Sequence, residues 1–214
     1  MKIIRMVVGM LSTNCYLVID EPSGEGYVID PGSDSRTITG AAGKAGMKCL
    51  GILCTHGHMD HVGAVGKVAQ ALDAPVYITE ADSRVLYGRS GGIMNRLGSF
   101  AVSRPEGVKY ISGGDRFAAG NSQVEVRATP GHTPGSVSFL CGNALVCGDL
   151  VFQGSIGRTD LVGGSMQDLL KSVRREVFSL PRGTRILPGH GPGTTVGDEM
   201  DTNPFLSGLS VEGG

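Results

Sequence analysis

The chain has 214 residues, 40% of them hydrophobic, and a formal net charge of -1. This length buries a sizeable core but is short for two enzyme domains with a linker, so we predict one domain over residues 1–214. With no basic run longer than Arg174-Arg175 and no apolar stretch of membrane-spanning length, the sequence argues against nucleic-acid and membrane partners.

The first half of the chain alternates short apolar runs with glycine-rich turns. Its start is interrupted by Arg5, which favours a first strand over a signal peptide. Strands are predicted over residues 3–8, 15–20, 26–30, 50–55 and 75–79. Helices are predicted over residues 35–45, 62–72 and 80–87. Residues 88–105, rich in Gly, Ser and Arg, are predicted to form a loop or lid that selects the substrate.

The second half repeats this alternation of strands and turns. Strands are predicted over residues 124–128, 137–140, 144–147 and 185–187. Ser165 and Asp168 have the spacing of a helix start, and the helix is predicted to continue to Phe178. Two strand-rich halves with covering helices indicate an α+β fold, a four-layer αββα sandwich with its site along the shared edge.

The five cysteines are odd in number and include no C-x-x-C pair. Cys54, Cys141 and Cys147 lie in or beside apolar runs, where a thiol acts as a small hydrophobic group. This usage is typical of a reducing compartment, so we expect a cytoplasmic location.

The histidines are concentrated at predicted strand ends. His56, His58 and His61 fall within six residues, and the other two, His132 and His190, each follow Pro-Gly. A surface or core role explains any one histidine alone, but ligands of one metal ion must converge, and the grouping predicts a metal site. A His-x-His pair on extended chain points both side chains the same way, and Asp60 adds an oxygen ligand suited to divalent cations.

A family resemblance rests on four motifs. The longest, Thr55-His56-Gly57-His58-Met59-Asp60-His61, resembles the T-H-x-H-x-D-H motif of the metallo-β-lactamase superfamily. It is followed, in the superfamily's order, by Gly131-His132-Thr133-Pro134-Gly135, Cys147-Gly148-Asp149 and Gly189-His190-Gly191. The resemblance implies two divalent ions, zinc first and iron or manganese as alternatives. It implies that the first ion is held by His56, His58 and His132, the second by Asp60, His61 and His190, and both by a bridging Asp149.

Residues 154–161, 163–165 and 203–206 are similar to the glyoxalase II-like branch. This resemblance implies a hydroxyacylglutathione hydrolase that acts on a small-molecule thioester of the S-lactoylglutathione type. A metal-bridged hydroxide would attack the thioester carbonyl, Asp60 would orient it as the catalytic residue, and the thiolate would leave without acid help. Longer members carry a helical carboxyl-terminal domain that helps bind glutathione. Only 24 residues follow His190, so we expect that domain to be absent.

Three alternatives stay open from the sequence. A persulfide dioxygenase of this fold would use a single iron held by His56, His132 and Asp149. A lactonase or another ester hydrolase would share the full metal set and differ in the 88–105 loop. A metal-binding module without catalysis is the last. The sequence predicts no oligomeric state.

Supporting residues have two interpretations each. Asp30 resembles the family aspartate that orients a ligand histidine, but it also suits a plain turn before Pro31-Gly32. Arg158 is a substrate-binding candidate through a bidentate contact with a carboxylate, or else it forms a buried pair with Asp160 or another acid. The motif around Asn14 is expected to contribute turn formation and packing.

Overall fold

The computed structural model describes residues 1–84, 86 and 102–209, and its centre is a pair of six-stranded mixed sheets. The first sheet follows chain order: β1 (Lys2–Val8), β2 (Thr13–Ile19), β3 (Glu25–Ile29), β4 (Lys48–Leu53), β5 (Val76–Ile78) and β6 (Val108–Tyr110). The second runs in the order β14-β13-β10-β9-β8-β7. Its strands are β7 (Arg116–Ala119), β8 (Ser122–Ala128), β9 (Val137–Cys141), β10 (Ala144–Gly148), β13 (Arg185–Pro188) and β14 (Thr194–Thr195). A separate hairpin joins β11 (Val151–Phe152) to β12 (Ser155–Ile156).

The described helices are short and cover the outer faces of the sheets. They are α1 (Ser35–Lys44), α2 (Met59–Val62), α3 (Val65–Leu72), α4 (Glu80–Ser83), α5 (Met166–Ser172) and α6 (Val196–Thr202). A π-helical turn, Val173–Val177, continues α5. The α5 start is as predicted, because the Ser165 side chain accepts a hydrogen bond from the Asp168 N–H. No helix of the described residues has the length and apolar character needed to cross a bilayer.

The layer order follows from the side-chain alternation of the central strands. Every residue of β2 is buried, and its side chains divide between two cores. Leu17 and Ile19 pack with the α1 and α3 side, whereas Tyr16 and Val18 pack against the second sheet in the core between the sheets. A third core joins the second sheet to α5 and α6. The predicted αββα sandwich is therefore confirmed.

The helix predicted over residues 62–72 is wrong at its start, because the structure divides it into α2 and α3. Ala64 donates its N–H to the carbonyl of Pro31 at 3.0 Å instead of continuing the helix. A Cβ at Gly63 would collide with the Gly32 carbonyl, so glycine permits this close crossing of chains. The break leaves Asp60 and His61 inside the separate turn α2.

Other boundaries shift by one or two residues, and several short elements were not predicted. The strands β6, β7, β11, β12 and β14 and the helix α6 lack the longer apolar runs on which the predictions relied. The described part of the helix predicted over residues 80–87 ends with α4 at Ser83. The predicted 88–105 loop lies mostly outside the described residues, which resume at residue 102.

Candidate metal centre

The site lies where strands of both sheets end. His56, His58 and the α2 residues follow β4, and His132 lies in the turn between β8 and β9. Asp149 follows β10 and His190 follows β13, and these two strands pair in parallel. Because parallel strands end at the same sheet edge, the two residues meet there, and β4 brings the histidine run to the same edge.

Cluster 1 consists of His56, His58 and His132, whose nearest ring nitrogens all lie within 4.8 Å of one another. The ring centroids are 4.6 to 4.8 Å apart. His58 Nδ1 faces His132 Nε2 at 2.8 Å. His56 and His132 are buried and His58 is partly exposed, so this cluster is a mostly enclosed set of imidazoles.

Cluster 2 consists of Asp60, His61 and His190. Asp60 Oδ2 lies 3.1 Å from His190 Nε2 and 3.5 Å from His61 Nε2. The Thr13 hydroxyl also donates to this oxygen, at 3.1 Å. The His61 side chain is fully buried, whereas that of His190 is 30% exposed, so cluster 2 opens toward solvent on one side.

Asp149 lies between the two clusters. Its Oδ1 is 3.3 Å from His61 Nε2, and its Oδ2 is 3.6 Å from His132 Nε2 and 3.8 Å from His190 Nε2. One carboxylate therefore faces ligand nitrogens of both clusters. The structure thus brings together all seven residues that the resemblance nominates as ligands.

The second nitrogen of most of these rings contacts a hydrogen-bond acceptor. The pairs are His61 Nδ1 with Asp30 Oδ2 at 2.9 Å, His132 Nδ1 with the Arg158 carbonyl at 2.7 Å, and His190 Nδ1 with the Leu11 carbonyl at 3.1 Å. His56 Nδ1 lies 3.0 Å from the Thr55 hydroxyl, which donates its own proton to Asp30. In these four rings Nδ1–H is therefore the donor and Nε2 is the nitrogen left to bind a metal, whereas His58 turns its Nδ1 toward the cluster.

Three buried polar atoms at the centre have no hydrogen-bond partner: His56 Nε2, His61 Nε2 and Asp149 Oδ1. Leaving such an atom unsatisfied costs about 1 to 3 kcal/mol, so a group of them requires an explanation. Metal coordination satisfies all three, since neutral imidazole and carboxylate are ligands of divalent metals. The donor set therefore fits a divalent ion in each cluster.

The two clusters differ in proton affinity. Burial, followed by the neighbouring histidines, lowers the pKa of His56 and brings that of His58 to about 4. In cluster 2, burial opposes the charge on His61, but Asp149 and Asp30 outweigh it and raise the pKa. The hydrogen bond to Asp60 raises the pKa of His190.

The two carboxyls remain ionised. Burial acts to raise the pKa of both Asp60 and Asp149, but the histidines outweigh it. The contact with His190 is the largest lowering cause for Asp60, and the charge of His61 is the largest for Asp149. Both side chains are therefore available as anionic ligands at neutral pH.

Asp30 contacts the site as the orienting interpretation expects. Its buried carboxylate accepts hydrogen bonds from the Thr55 N–H at 2.7 Å and from the Thr55 hydroxyl at 2.6 Å, in addition to the His61 contact. Its backbone has a φ of 51°, a left-handed conformation that Asp tolerates in turns. The turn interpretation and the orienting interpretation therefore both describe this residue.

Asn14 and Tyr16 have a more specific place than the expected packing role. Asn14 Nδ2 donates to the carbonyls of Pro188 at 2.8 Å and Gly191 at 2.9 Å, and the Tyr16 hydroxyl donates to Pro188 at 2.6 Å. These bonds tie β2 of the first sheet to the turn that carries His190. The sequence signals for this contact were the motif around Asn14 and the presence of a polar residue in an otherwise apolar run.

The expected buried pair of Arg158 is wrong in one respect. Arg158 and Asp160 form a bidentate pair with both contacts at 2.8 Å, but the side chains are 60% and 68% exposed. Both residues lie in the irregular segment that follows β12, where water reaches their side chains. Only the main-chain carbonyl of Arg158 contacts a ligand histidine.

The model of the metallo-beta-lactamase superfamily matches residues 8–190 of the chain. The probable metallo-hydrolase YqgX of Bacillus subtilis (strain 168) is 38% identical over 99% of this chain and 100% of its own length. Hydroxyacylglutathione hydrolase GloC of Haemophilus influenzae (strain ATCC 51907 / DSM 11121 / KW20 / Rd) is 30% identical over 92% of this chain and 94% of its own length.

Two solved structures are similar over almost their whole length. BLEG-1 B3 metallo-beta-lactamase is 34% identical with a TM-score of 0.86, covering 97% of this chain and 100% of that chain. TTHA1623, solved in a di-iron-bound form, is 39% identical with a TM-score of 0.83, covering 95% of this chain and 100% of that chain. With the two histidine clusters, these matches show that the chain belongs to the metallo-β-lactamase superfamily of metal-dependent hydrolases.

Proposed function

We propose that this protein is a two-metal thioesterase of the hydroxyacylglutathione hydrolase type. The observation that carries the proposal is the position of Asp149, whose two oxygens face histidines of both clusters. The similarity to GloC supports the choice of substrate class. We propose zinc as the metal in both clusters, with iron or manganese as alternatives, and the di-iron form of TTHA1623 keeps iron in consideration.

Two bound divalent ions would supply Lewis acidity and lower the pKa of a shared water toward neutrality. His56, His58 and His132 would hold one ion, and Asp60, His61 and His190 the other, with Asp149 bridging. The chain fixes the ring orientations beforehand through the Nδ1 contacts described above, so binding requires little rearrangement of the histidines.

Asp60 is the proposed catalytic residue. Thr13 and His190 hold its Oδ2, and its lowered pKa keeps it as a carboxylate, which accepts but does not donate hydrogen bonds. A carboxylate at this position would orient the attacking hydroxide by accepting a hydrogen bond from it. Asp60 also lines a cleft of about 360 Å³ with Met10, Leu11 and Met59, which offers an apolar wall beside the reacting centre.

A thioester suits this site because of its leaving group. A thiol has a pKa of roughly 8.5, so the thiolate leaves as a stable anion without a proton donor. The described histidines and the two carboxylates of the clusters are all assigned to ligation, which leaves none of them as a dedicated acid. An amide, whose nitrogen must be protonated on leaving, matches this arrangement less well.

Two other activities compete with this proposal, and one observation opposes the first while another favours the second. Single-iron dioxygenase chemistry at His56, His132 and Asp149 would leave His61 Nε2 buried without a partner. β-Lactam hydrolysis is the second candidate, because BLEG-1 B3 metallo-beta-lactamase shares the fold at 34% identity. A lactonase would share the metal set and remains a substrate alternative.

The test loads purified protein in turn with zinc, manganese and iron and measures S-lactoylglutathione hydrolysis. We expect hydrolysis that falls by about 100-fold or more in His58→Ala, because that variant lacks a cluster 1 ligand. Gln123→Ala is the matched control, since this exposed residue lies at the end of β8 away from His132. A β-lactam and glutathione persulfide are assayed in parallel. No thioester hydrolysis with any metal, alongside β-lactam hydrolysis or oxygen uptake, would overturn the proposal.

We also propose a cytoplasmic protein with a small-molecule substrate and no nucleic-acid or membrane partner. All five cysteines are free thiols, and all but the partly exposed Cys49 are buried. Burial raises the pKa of the Cys147 thiol to about 12, which keeps it unreactive. This usage of cysteine suits a reducing compartment.

A further inference from the structure

Asp82 in α4 is a buried carboxylate that contacts the two segments carrying cluster 1. It is 5% exposed, and each of its oxygens accepts hydrogen bonds. Oδ2 accepts from the Gly57 N–H at 2.8 Å and from the Thr133 hydroxyl at 2.7 Å, and Oδ1 accepts from the Gly135 N–H at 2.9 Å. Within residues 1–84, 86 and 102–209, no lysine or arginine forms an ion pair with it, so neutral donors alone satisfy this charge.

The three donors belong to the two segments that supply cluster 1. Gly57 lies between His56 and His58, and Thr133 directly follows His132. Gly135 closes the same turn as Thr133, and its carbonyl accepts a further bond from the Thr79 hydroxyl at 2.7 Å. A single carboxylate therefore joins a loop of the first sheet to a turn of the second, and all three cluster 1 histidines lie on these two segments.

The fit around Asp82 is close. A Cβ at Gly135 would collide with the Asp82 carboxylate and with the Thr79 hydroxyl, so the turn needs glycine to reach this distance. A buried carboxylate is costly unless it is fully hydrogen-bonded, and here backbone N–H groups and a hydroxyl supply that compensation. Asparagine has the same shape but turns one acceptor oxygen into an NH2 donor. In either amide orientation, at least one backbone N–H loses its acceptor.

Asp82 is distinct from Asp30. Asp30 contacts Thr55 and His61, and so supports the residue before cluster 1 and a ligand of cluster 2. Asp82 contacts no ligand side chain, and its three donors all flank cluster 1 ligands. Asp30 therefore contacts supports of both clusters, whereas the contacts of Asp82 are confined to the two segments that carry cluster 1.

We propose that Asp82 is a positioning residue for cluster 1, setting the placement of His56 and His58 relative to His132 and thereby the affinity for the ion held there. This inference rests on the proposal that cluster 1 binds a divalent ion, but it does not depend on the substrate. It predicts a selective effect, in which loss of the Asp82 acceptor weakens one of two binding steps.

The test titrates Co²⁺ into metal-free full-length protein and follows the visible absorption spectrum. Reference spectra come from His58→Ala, which lacks a cluster 1 ligand, and His190→Ala, which lacks a cluster 2 ligand. For Asp82→Asn, we expect about tenfold or greater loss of affinity at the step absent from His58→Ala, and a change within twofold at the other step.

Asp20→Asn is the matched control. Asp20 is also a buried carboxylate that accepts bonds from neutral donors, the Ser23 and Ser122 hydroxyls, but it lies at the far end of β2 from the site. We expect this variant to bind both Co²⁺ ions as the unchanged protein does. Thermal unfolding of all variants separates a loss of stability from a loss of metal affinity.

Two results would overturn the inference: wild-type affinities for both ions in Asp82→Asn, or an equal loss in Asp20→Asn. If Asp82→Asn does not fold, Thr133→Val replaces it, because this near-isosteric change removes one donor and keeps the carboxylate. We expect about threefold weaker binding at the same step, and unchanged binding there would also overturn the inference. Failure of the proposed two-metal function gives a different result, namely that the unchanged protein and His58→Ala have identical titrations.

Discussion

Clusters 1 and 2 both face Asp149 but offer a metal ion different environments. Cluster 1 presents three imidazoles, and burial together with mutual repulsion lowers the pKa of His56 and His58. Cluster 2 presents a carboxylate and two imidazoles whose pKa is raised by Asp149, Asp30 and Asp60. These shifts favour neutral His56 and His58 in the first cluster, whereas in the second they favour protonated His61 and His190, whose extra protons an ion must displace.

This difference shows how one sheet edge can build two unequal sites. In cluster 1, the lowered pKa of His56 and His58 keeps these two rings neutral, so an ion does not compete with their protonation. In cluster 2, ion pairs between histidine and aspartate already stabilise the metal-free protein. We therefore expect cluster 1 to bind the first ion and cluster 2 to bind the second.

The largest expected effect comes from removing the group that both clusters share. Asp149→Ala takes away a ligand from each cluster and leaves His61 Nε2 without its nearest carboxylate. We expect loss of both ions on dialysis and a fall in turnover of about three orders of magnitude, since metal stabilisation is worth several kcal/mol in the transition state. Elemental analysis and the thioester assay measure this. Retention of two ions would show that Asp149 does not bridge.

The pH dependence of metal content should separate the two clusters. Because the pKa of His61 and His190 is raised, these rings keep their protons to higher pH, and each displaced proton weakens binding about tenfold for every pH unit below the pKa. Asp60 stays ionised, and His58, with a pKa of about 4, stays neutral across this range. At fixed free zinc, we expect two ions per chain at pH 7.5 and one at pH 5.5.

Equilibrium dialysis with zinc analysis at both pH values tests this expectation. The control is His190→Ala, which should hold one ion at pH 7.5 and still hold it at pH 5.5. Simultaneous loss of both ions from the unchanged protein would contradict the unequal affinities. If cluster 1, identified by comparison with His58→Ala, loses its ion at a higher pH than cluster 2, then cluster 2 is the site of higher affinity.

A smaller effect is expected from Asp30→Asn. The amide retains one acceptor oxygen, so either the Thr55 N–H loses its acceptor or the His61 Nδ1–H and the Thr55 hydroxyl lose theirs together. We expect about tenfold weaker binding of the second ion and a smaller change for the first, the reverse of the pattern expected for Asp82→Asn. Co²⁺ titration measures both steps. The same pattern in both variants would mean that neither carboxylate is specific to one cluster.

The sequence predicted the αββα layers from two strand-rich halves with covering helices, and a strand that is buried on both faces, such as β2, needs a covering layer on each side. It failed where local geometry outweighs periodicity. The helix over residues 62–72 is broken because Gly32 and Gly63 bring two chain segments into contact, and this is a tertiary event. Strands of two or three residues, such as β12 and β6, have too few side chains for a period to be visible.

The candidate ligands were predictable because their side-chain chemistry is distinctive and they lie at strand ends. Of the residues that hold them, Asp30 was nominated through the family resemblance, whereas Asp82 was not. Asp82 is an ordinary acid in a helical segment, and its contacts with Gly57 and Thr133 depend on residues 25 and 51 positions away. Most of the side chains that hold the ligand segments, such as Asp82 and Asn14, bind backbone groups. Every residue has backbone groups, so the sequence gives no sign of which ones will be bound.

The smallest effect is expected from Arg158→Ala, which tests whether the side chain of Arg158 contributes to cluster 1. Its carbonyl holds His132, but its side chain is exposed and paired with Asp160. Arg158→Ala keeps the carbonyl, so we expect both ions to be retained and kcat to be unchanged. Water screens an exposed charge contact, so if the guanidinium binds a substrate carboxylate, KM should rise only about threefold.

Asp160→Ala makes that expectation decisive, because it removes the competing carboxylate and leaves the guanidinium free. If Arg158 binds the substrate, KM for S-lactoylglutathione should stay the same or fall in Asp160→Ala while it rises in Arg158→Ala. If the ion pair instead shapes the segment around it, KM should rise equally in both variants. Metal content unchanged in both variants would show that cluster 1 depends on the main chain of residue 158 and not on its charge.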